Sequence, residues 1–246
     1  MQIGGFLKCS LVDYPGKVAA VVFTQGCNFL CPFCHNTELV VPSSFRTPVP
    51  EAEVLSFLAE RRGVLQGLTV TGGEPTIQTD LPSFLKTVKD LGYLVKLDTN
   101  GSRPDILSSL FQKHLVDYVA MDIKTSLGRY RQACGVEVDT GCIEDSIHLL
   151  LASGLNYEFR STAVRPFIEE QTLADIHKTL RHPQRYVLQE FVLRDHLVAP
   201  AFLDQRQYTS EELKALREKW EIVSPIFSPG DEEVLWKRSA TGRGRP

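Results

Sequence analysis

The chain has 246 residues and a formal net charge of −3, with 43% hydrophobic and 23% charged residues. This composition is typical of a globular enzyme and does not favour a polyanion or a membrane surface as partner. No stretch approaches the roughly 18 uncharged apolar residues of a membrane span, and the N-terminus lacks a secretory signal pattern. We therefore expect a cytoplasmic protein with no nucleic-acid or membrane partner, whose clustered cysteines are metal ligands or catalytic groups.

Apolar segments that predict strands alternate with amphipathic segments that predict helices. The first strand is a valine-rich run of the kind buried on both faces of a sheet. The predicted strands are 18–26, 68–73, 93–101, 116–124, 157–164 and 185–193. Six helices are predicted. The first follows Pro50, the second runs from Asp80 to Gly92, and the third begins at Pro104. The fourth ends near Gly154, the fifth contains Leu173 to Leu180, and the sixth begins at a capping box of Thr209 and Glu212.

Six strand–helix units predict a mainly parallel α/β sheet with outer helices. Six units are too few for an eight-stranded barrel, so an incomplete (β/α)6 barrel and an open doubly wound sheet both fit. We expect a single domain over 1–246, with its core at about 16–193 and a C-terminal helix and tail at 194–246. The final residues, SATGRGRP, are small and basic, and we expect them to be frayed.

Three cysteines, Cys27, Cys31 and Cys34, lie close enough in CNFLCPFC to hold one metal centre. A zinc site completed by His35 is one interpretation, but two ligands adjacent in sequence are strained. The loop is better suited to three ligands and an open metal position, as in a catalytic centre. The other cysteines have no partner at ligand spacing, and we interpret them as buried small residues or incidental thiols: Cys9, Cys134 and Cys142.

Polar clusters follow the predicted strands at the points where each strand ends. The cysteine loop follows the first strand, and GGEP (72–75), DTNG (98–101) and DIK (122–124) follow the next three. Arg160 lies on the fifth. The carboxyl ends of parallel strands meet at one edge of a sheet, so these groups are expected around one cavity.

The Cys-x3-Cys-x2-Cys spacing and the GGEP turn resemble the radical S-adenosylmethionine enzymes. Together with DYPGK (13–17), CHN (34–36), DTNG and DIK, they are similar to the glycyl radical enzyme activases, above all those of anaerobic ribonucleoside-triphosphate reductase. The likeness extends from residue 3 to about Val164. It implies an incomplete (β/α)6 barrel and one [4Fe-4S] cluster on the three cysteines, with S-adenosylmethionine completing the ligand set.

The resemblance also implies roles for individual residues. Gly72, Gly73 and Glu74 would approach the cofactor, with Glu74 accepting from its ammonium group. Lys124 and Arg160 would pair with its carboxylate, and Phe33 would pack on its adenine ring; the alternatives are salt bridges and core packing. The remaining cofactor-binding residues would be His35, Asn36, Asp98, Asn100 and Asp122. A Na⁺ or K⁺ ion could lie between Asp98, Thr99 and Asp122. Gln189 stands near the position of a histidine in pyruvate formate-lyase activases.

We expect a monomeric oxidoreductase that receives an electron from a flavodoxin- or ferredoxin-type donor and takes a glycine hydrogen atom from a partner glycyl radical enzyme. No second polar cluster is evident at the strand ends beyond the cofactor set, which favours a protein substrate gripped by the polar loop 125–142. Two alternatives stay open. One is an enzyme for a free metabolite, similar to 7-carboxy-7-deazaguanine synthase, and the other is a zinc-stabilised binding module.

Overall fold

A computed structural model describes residues 1–181, 183, 185–192, 196–204 and 206–222. Within them a seven-stranded sheet runs in the order of the sequence. Its strands are β1 (Ile3–Ser10), β2 (Ala19–Thr24), β3 (Gly67–Gly72), β4 (Leu94–Thr99), β5 (Tyr118–Asp122), β6 (Asn156–Ala163) and β7 (Tyr186–Glu190). The six predicted strands are confirmed as β2 to β7. The final segment, SATGRGRP, lies outside the described residues.

Strand β1 was missing from the sequence prediction. It pairs antiparallel with β2 at the edge of the sheet, and two adjacent glycines, Gly4 and Gly5, weaken its apolar signal. The other strand pairs are all parallel. A doubly wound sheet reverses its strand order at a switch point, whereas this order is consecutive, as in a barrel. The structure is therefore an incomplete (β/α)6 barrel, with β1 and β7 at the sheet's two edges.

Eight helices connect the strands or flank them within the described residues. They are α1 (Thr37–Val40), α2 (Glu51–Glu60), α3 (Leu81–Asp90), α4 (Pro104–Gln112), α5 (Tyr130–Cys134), α6 (Thr140–Ala152), α7 (Glu170–Leu180) and α8 (Ser210–Lys219). The six predicted helices are confirmed, and the capping box of Thr209 and Glu212 is present. Asp80 precedes α3, but its side chain makes no capping bond and instead pairs with the Met1 amino group. None of the described helices has the length and apolar character needed to cross a bilayer.

The strands β4 to β6 present different residues on their two faces, because side chains alternate along a strand. Leu97, Met121 and Phe159 lie on one face and are fully buried in the hydrophobic core. On the other face, the register pairs Asp98 with Ala120, and Asp122 with Arg160. This second face lines the interior of the barrel, so charged side chains from three neighbouring strands meet there.

Candidate functional site

A cavity of about 340 Å³ opens inside the barrel and extends to the carboxyl ends of the strands. That volume lies in the range of small-molecule sites. The predicted site residues that line it are Cys27, Cys31, Phe33, Cys34, His35, Asn36, Gly73, Glu74, Asp98, Thr99, Asn100, Asp122, Lys124 and Arg160. Gly72 lies outside this lining. The predicted residues are therefore gathered around one cavity; their individual roles stay predictions.

The loop of residues 27–36, here called the cysteine loop, is held by backbone hydrogen bonds from separate parts of the chain. Gly26 N–H donates to Leu39 O at 2.7 Å, Leu30 N–H to Cys134 O at 2.8 Å, Val198 N–H to Cys34 O at 3.1 Å, and Ala199 N–H to Pro32 O at 3.0 Å. Asn28 adds a side-chain link, because its Oδ1 accepts from Asn100 Nδ2 at 2.9 Å. The positions of the three cysteines are thus fixed largely by main-chain contacts.

The surroundings of the three thiols disfavour the thiolate form, so a metal centre bound to them would have to supply the compensating positive charge. Burial raises the pKa of Cys27 to about 12 and that of Cys34 to about 11. A hydrogen bond to Cys134, together with burial, raises the pKa of Cys31 well above its usual value. Backbone N–H groups nevertheless point at two of the sulfurs: Phe29 N–H donates to Cys27 Sγ at 3.4 Å, and Asn36 N–H donates to Cys34. Buried thiols that receive N–H bonds fit an iron–sulfur cluster, whose sulfurs are tuned by such bonds.

The geometry does not favour the zinc alternative. Within the described part of the chain, no three cysteine, histidine or acidic side chains converge closely enough to hold a single metal ion. The His35 ring stacks on Phe191, with ring centroids 4.9 Å apart and planes at 17°. The His35 ring is thus packed against Phe191 rather than gathered with the cysteines as a fourth ligand.

Gly72 and Gly73 let backbone approach backbone, and their approach to a ligand stays a prediction. Gly72 has φ +116°, and a Cβ there would lie 2.3 Å from Thr24 N. A Cβ on Gly73 would lie 1.9 Å from Gly26 O. These contacts dock the GGEP turn against the residues just before the cysteine loop. The glycines therefore set the distance between the turn and the loop.

Glu74 is fully buried and joins this turn to the end of β4. Its Oε1 accepts from Thr76 N–H at 3.0 Å and from the hydroxyls of Thr76 and Thr99 at 2.6 and 2.8 Å. Its Oε2 accepts from Asn100 N–H at 2.6 Å. Burial raises its pKa, although these four donors oppose that shift. The carboxylate is therefore already bound within the protein, and an ammonium group of the cofactor would have to share Oε2.

Five charged side chains form a continuous series of ion pairs, here called the charge ladder; four lie on β4, β5 and β6, and Lys124 lies two residues after β5. Lys96 Nζ pairs with Asp98 Oδ1. Arg160 donates through Nη1 to Asp98 Oδ2 at 3.2 Å and through Nε to Asp122 Oδ1 at 3.1 Å. Lys124 Nζ completes the ladder at Asp122 Oδ2, at 2.9 Å. Positive and negative groups thus alternate along the cavity wall.

The ladder keeps Asp122 and Lys124 ionised. Burial alone would raise the pKa of Asp122, but Lys124 and Arg160 hold it at about 2. Burial works in the opposite direction on Lys124, whose pKa is nevertheless raised, chiefly by Asp122. The salt bridges weighed in the sequence analysis are therefore present for Lys124 and Arg160. Pairing with a cofactor carboxylate stays a prediction.

Phe33 packs in an aromatic cluster with Phe167, Phe191 and Phe202, at centroid distances of 5.6, 6.5 and 6.4 Å. Phe202 also stacks on Phe167, at 5.5 Å with planes at 16°. This packing anchors the described segment 196–204 beside the cysteine loop. Phe33 both lines the cavity and packs in the core, so its contact with an adenine ring stays a prediction.

The sequence analysis missed several groups in the cavity. Asp13 reaches it from the loop before β2, at the amino ends of the strands, and Lys96 lies two residues before Asp98. Glu158 Oε2 accepts from Arg185 Nε at 3.0 Å and from Tyr118 Oη at 3.1 Å. These groups form a second polar cluster toward the amino ends of the strands, whereas the expectation concerned the ends at which the predicted site residues lie. Alternation along β4 and β6 was the signal that could have found Lys96 and Glu158, because each lies two residues from a predicted site residue.

The loop 125–142 is partly a structural element. Tyr130, Ala133 and Cys134 are buried, and Cys134 hydrogen-bonds to the thiol of Cys31. Gly135 has φ +68°, and a Cβ there would lie 2.2 Å from Leu30 O. Helix α5 and Gly135 thus pack directly against the cysteine loop at Leu30 and Cys31. The expectation that this loop is a polar surface for contact with a partner is wrong for these buried residues, whereas other residues within it are exposed.

Comparison with known proteins places the chain in a family. The family model of the Radical SAM superfamily matches residues 21–182. A protein of Methanocaldococcus jannaschii named as a glycyl-radical enzyme activating enzyme is 32% identical over 199 residues, covering 78% of this chain and 81% of that protein. The 7-carboxy-7-deazaguanine synthase of Thermoplasma acidophilum is 30% identical over 112 residues, covering 45% of this chain and 49% of the synthase.

Among solved structures, Streptococcus suis SuiB bound to S-adenosylmethionine has the same fold. The TM-score is 0.63 at 13% identity, over 81% of this chain and 45% of that one. The fold is thus the radical SAM partial barrel. The chain belongs to the Radical SAM superfamily, an oxidoreductase family whose cofactors are a [4Fe-4S] cluster and S-adenosylmethionine.

Proposed function

We propose that this protein is a glycyl radical enzyme activase. The observation that carries the proposal is the convergence of the cysteine loop, the GGEP turn and the charge ladder on one cavity. A relative named as an activating enzyme, aligned over most of both chains, supports this assignment. Anaerobic ribonucleoside-triphosphate reductase is the proposed partner, and a flavodoxin- or ferredoxin-type protein the proposed donor. A single domain, a monomer and a cytoplasmic location are further parts of the proposal.

A bound [4Fe-4S] cluster, reduced by the proposed donor, would supply the one electron needed to cleave S-adenosylmethionine, so that a hydrogen atom could be taken from a glycine of the partner. Cys27, Cys31 and Cys34 would hold the cluster. The Lys124 end of the charge ladder would orient the cofactor carboxylate, and Asn36 and Phe33 would border its adenine. The buried walls around Glu74 would exclude water from the reaction. A glycine suits such a site because its backbone, which has no side chain, can enter a narrow cavity with its α-hydrogens accessible.

The test is incubation of the anaerobically loaded protein with S-adenosylmethionine, a strong one-electron reductant and a glycyl radical enzyme from the same genome. We expect 5′-deoxyadenosine, and a doublet-like electron paramagnetic resonance signal on the partner's backbone. A loaded cluster that yields no 5′-deoxyadenosine would contradict the proposal.

One observation favours a second candidate, an enzyme for a free metabolite. The cavity contains polar groups beyond the cofactor set, including Asp13, Glu158 and Arg185, and a buried small substrate needs such groups. The similarity to a 7-carboxy-7-deazaguanine synthase agrees with this reading. The discriminating result is many turnovers of 5′-deoxyadenosine driven by a purified metabolite without any partner protein.

A further inference from the structure

The carboxylates of Asp98 and Asp122, which the family resemblance assigns to a monovalent cation, are joined by a guanidinium group. Arg160 Nη1 is 3.2 Å from Asp98 Oδ2, and Arg160 Nε is 3.1 Å from Asp122 Oδ1. Asp122 and Arg160 are register partners on neighbouring parallel strands, so the guanidinium begins beside one carboxylate and extends across to the other. Both acidic side chains and Arg160 are mostly buried, at 13%, 30% and 15% exposed.

The remaining oxygens of the two carboxylates are also bound. Lys96 Nζ pairs with Asp98 Oδ1, and Lys124 Nζ is 2.9 Å from Asp122 Oδ2. Each of the four oxygens therefore has a cationic partner, and Arg160 serves two of them. An added Na⁺ or K⁺ ion bound by both carboxylates would therefore have to displace one of these partners.

Thr99, the third residue of the expected cation site, is directed elsewhere. Its hydroxyl donates to Glu74 Oε1 at 2.8 Å and accepts from Gly101 N–H at 3.1 Å. These bonds use its hydrogen and one lone pair, so a cation is disfavoured here by the two carboxylates, whose oxygens are all paired. The residues present thus do not fit a monovalent cation site.

We propose that Arg160 is the internal counter-charge of Asp98 and Asp122, and that this enzyme binds its cofactor without a monovalent cation. Arg160 is then a positioning residue: it fixes the two carboxylates and, through Asp122, the ammonium group of Lys124. The part of the proposal that concerns the cofactor rests on the proposed function, whereas the charge arrangement does not.

The test uses the full-length protein loaded with its cluster under anaerobic conditions, in tetramethylammonium chloride or in KCl or NaCl at the same ionic strength. Equilibrium dialysis gives the affinity for S-adenosylmethionine, and circular dichroism gives the melting temperature. We expect wild-type affinity to agree within twofold between the salts, with no selective shift in melting temperature. Arg160→Met should lose affinity and melt lower in tetramethylammonium, and K⁺ or Na⁺ should restore affinity several-fold, because Asp98 and Asp122 then face each other with one cationic partner each and no group between them.

Arg185→Met is the matched control, since it removes a guanidinium from the same cavity but leaves only one carboxylate, Glu158. It should gain no selective response to K⁺ or Na⁺. If Arg160→Met fails to fold, the pair Asp98→Asn and Arg160→Met should fold, because it removes the repulsion, and should show no response to the cation.

Two results would overturn the proposal. One is a several-fold loss of wild-type affinity, or a selective loss of stability, when K⁺ and Na⁺ are absent. The other is an Arg160→Met protein that folds yet gains no selective response to either ion. Failure of the proposed function is recognised separately, because it would appear as protein that retains no iron or forms no 5′-deoxyadenosine in any salt.

Discussion

The two sides of the cavity are held together by different forces. The cysteine loop is fixed mainly by backbone contacts. Backbone hydrogen bonds join it to helix α5 and to the segment 196–204, and close glycine contacts join the loop to the end of α5 and the residues just before the loop to the GGEP turn. The charge ladder on β4 to β6 is fixed by side-chain ion pairs on a regular sheet. Main-chain contacts tolerate many side chains but not a changed backbone, whereas ion pairs depend on each charge and on pH. Substitutions should therefore affect the two sides differently.

The largest effect is expected at the cysteine ligands. Replacing Cys27, Cys31 or Cys34 with alanine should abolish cluster retention, because each removes one of three thiolates. Cys142→Ala on α6 is the control, and it should keep about four irons per chain. Iron and sulfide analysis after anaerobic loading gives the answer. Cys134 contacts Cys31 without being a proposed ligand, so Cys134→Ala should also keep its iron; full loss of iron in that variant would refute the three-ligand arrangement.

The next effect tests the backbone contacts of the cysteine loop. Gly135 and Gly154 both have φ +68°, but a Cβ at Gly135 would meet Leu30 O at 2.2 Å, whereas one at Gly154 would meet nothing within 4 Å. Gly154→Ala should cost roughly 1–2 kcal/mol for the left-handed conformation alone. Gly135→Ala should cost about 1–3 kcal/mol more, because its Cβ would overlap Leu30 O, and it should lower iron retention. Urea unfolding measures both costs, and equal values would exclude a tight contact between α5 and the loop.

The contribution of the charge ladder to the free energy of unfolding should depend on pH, whereas that of the backbone contacts of the cysteine loop should not. The pKa of Asp122 is lowered from 3.8 to about 2, so its carboxylate stabilises the fold above about pH 4, and this contribution is lost as the pH falls toward 2. The difference in unfolding free energy between the wild type and Asp122→Asn should be constant from pH 6 to about 4 and shrink below that. Denaturation of the iron-free full chain at each pH measures it. A difference that grows on acidification would contradict the assigned ion pairs.

The smallest effect is expected at Asn28, an exposed residue that joins the two sides. Its Nδ2 donates to Ser102 Oγ at 2.7 Å, and its Oδ1 accepts from Asn100. Asn28→Ala should cost about 0.5–1.5 kcal/mol, as for one net hydrogen bond near the surface. A double-mutant cycle with Ser102→Ala isolates the pair, and a coupling energy near zero would show that this link is not formed in solution.

The same contrast explains how much could be predicted from the sequence. The six parallel strands and six of the helices followed from apolar periodicity, Pro104 and the Thr209 capping box, because these signals are local. The gathering of Cys27, Glu74, Asp98 and Asp122 followed from the rule that strand ends share an edge. Strand β1 was missed because its glycines obscure the pattern, and helix α5 because five residues are too few to show a period.

Contacts between distant segments could not be predicted from the sequence. Gly73 lies against Gly26 O, which is 47 positions earlier in the chain, and no local pattern predicts this contact. Arg160 was assigned to the cofactor carboxylate and Asp98 to a cation, because one sequence does not reveal that these two side chains pair with each other. Lys96 and Glu158 were passed over inside segments interpreted as apolar strands. Such partners are set by register and tertiary packing, which only the folded chain determines.

The central claim is that three cysteines hold a [4Fe-4S] cluster with one iron left open to S-adenosylmethionine. The most direct measurement is the electron paramagnetic resonance spectrum of the anaerobically loaded, reduced protein, recorded before and after addition of S-adenosylmethionine. The account predicts a reduced-cluster signal whose shape changes when the cofactor binds the open iron, in the wild type and in Cys142→Ala alike. A protein that holds one zinc ion instead of iron, or a cluster signal that S-adenosylmethionine leaves unchanged, would contradict it.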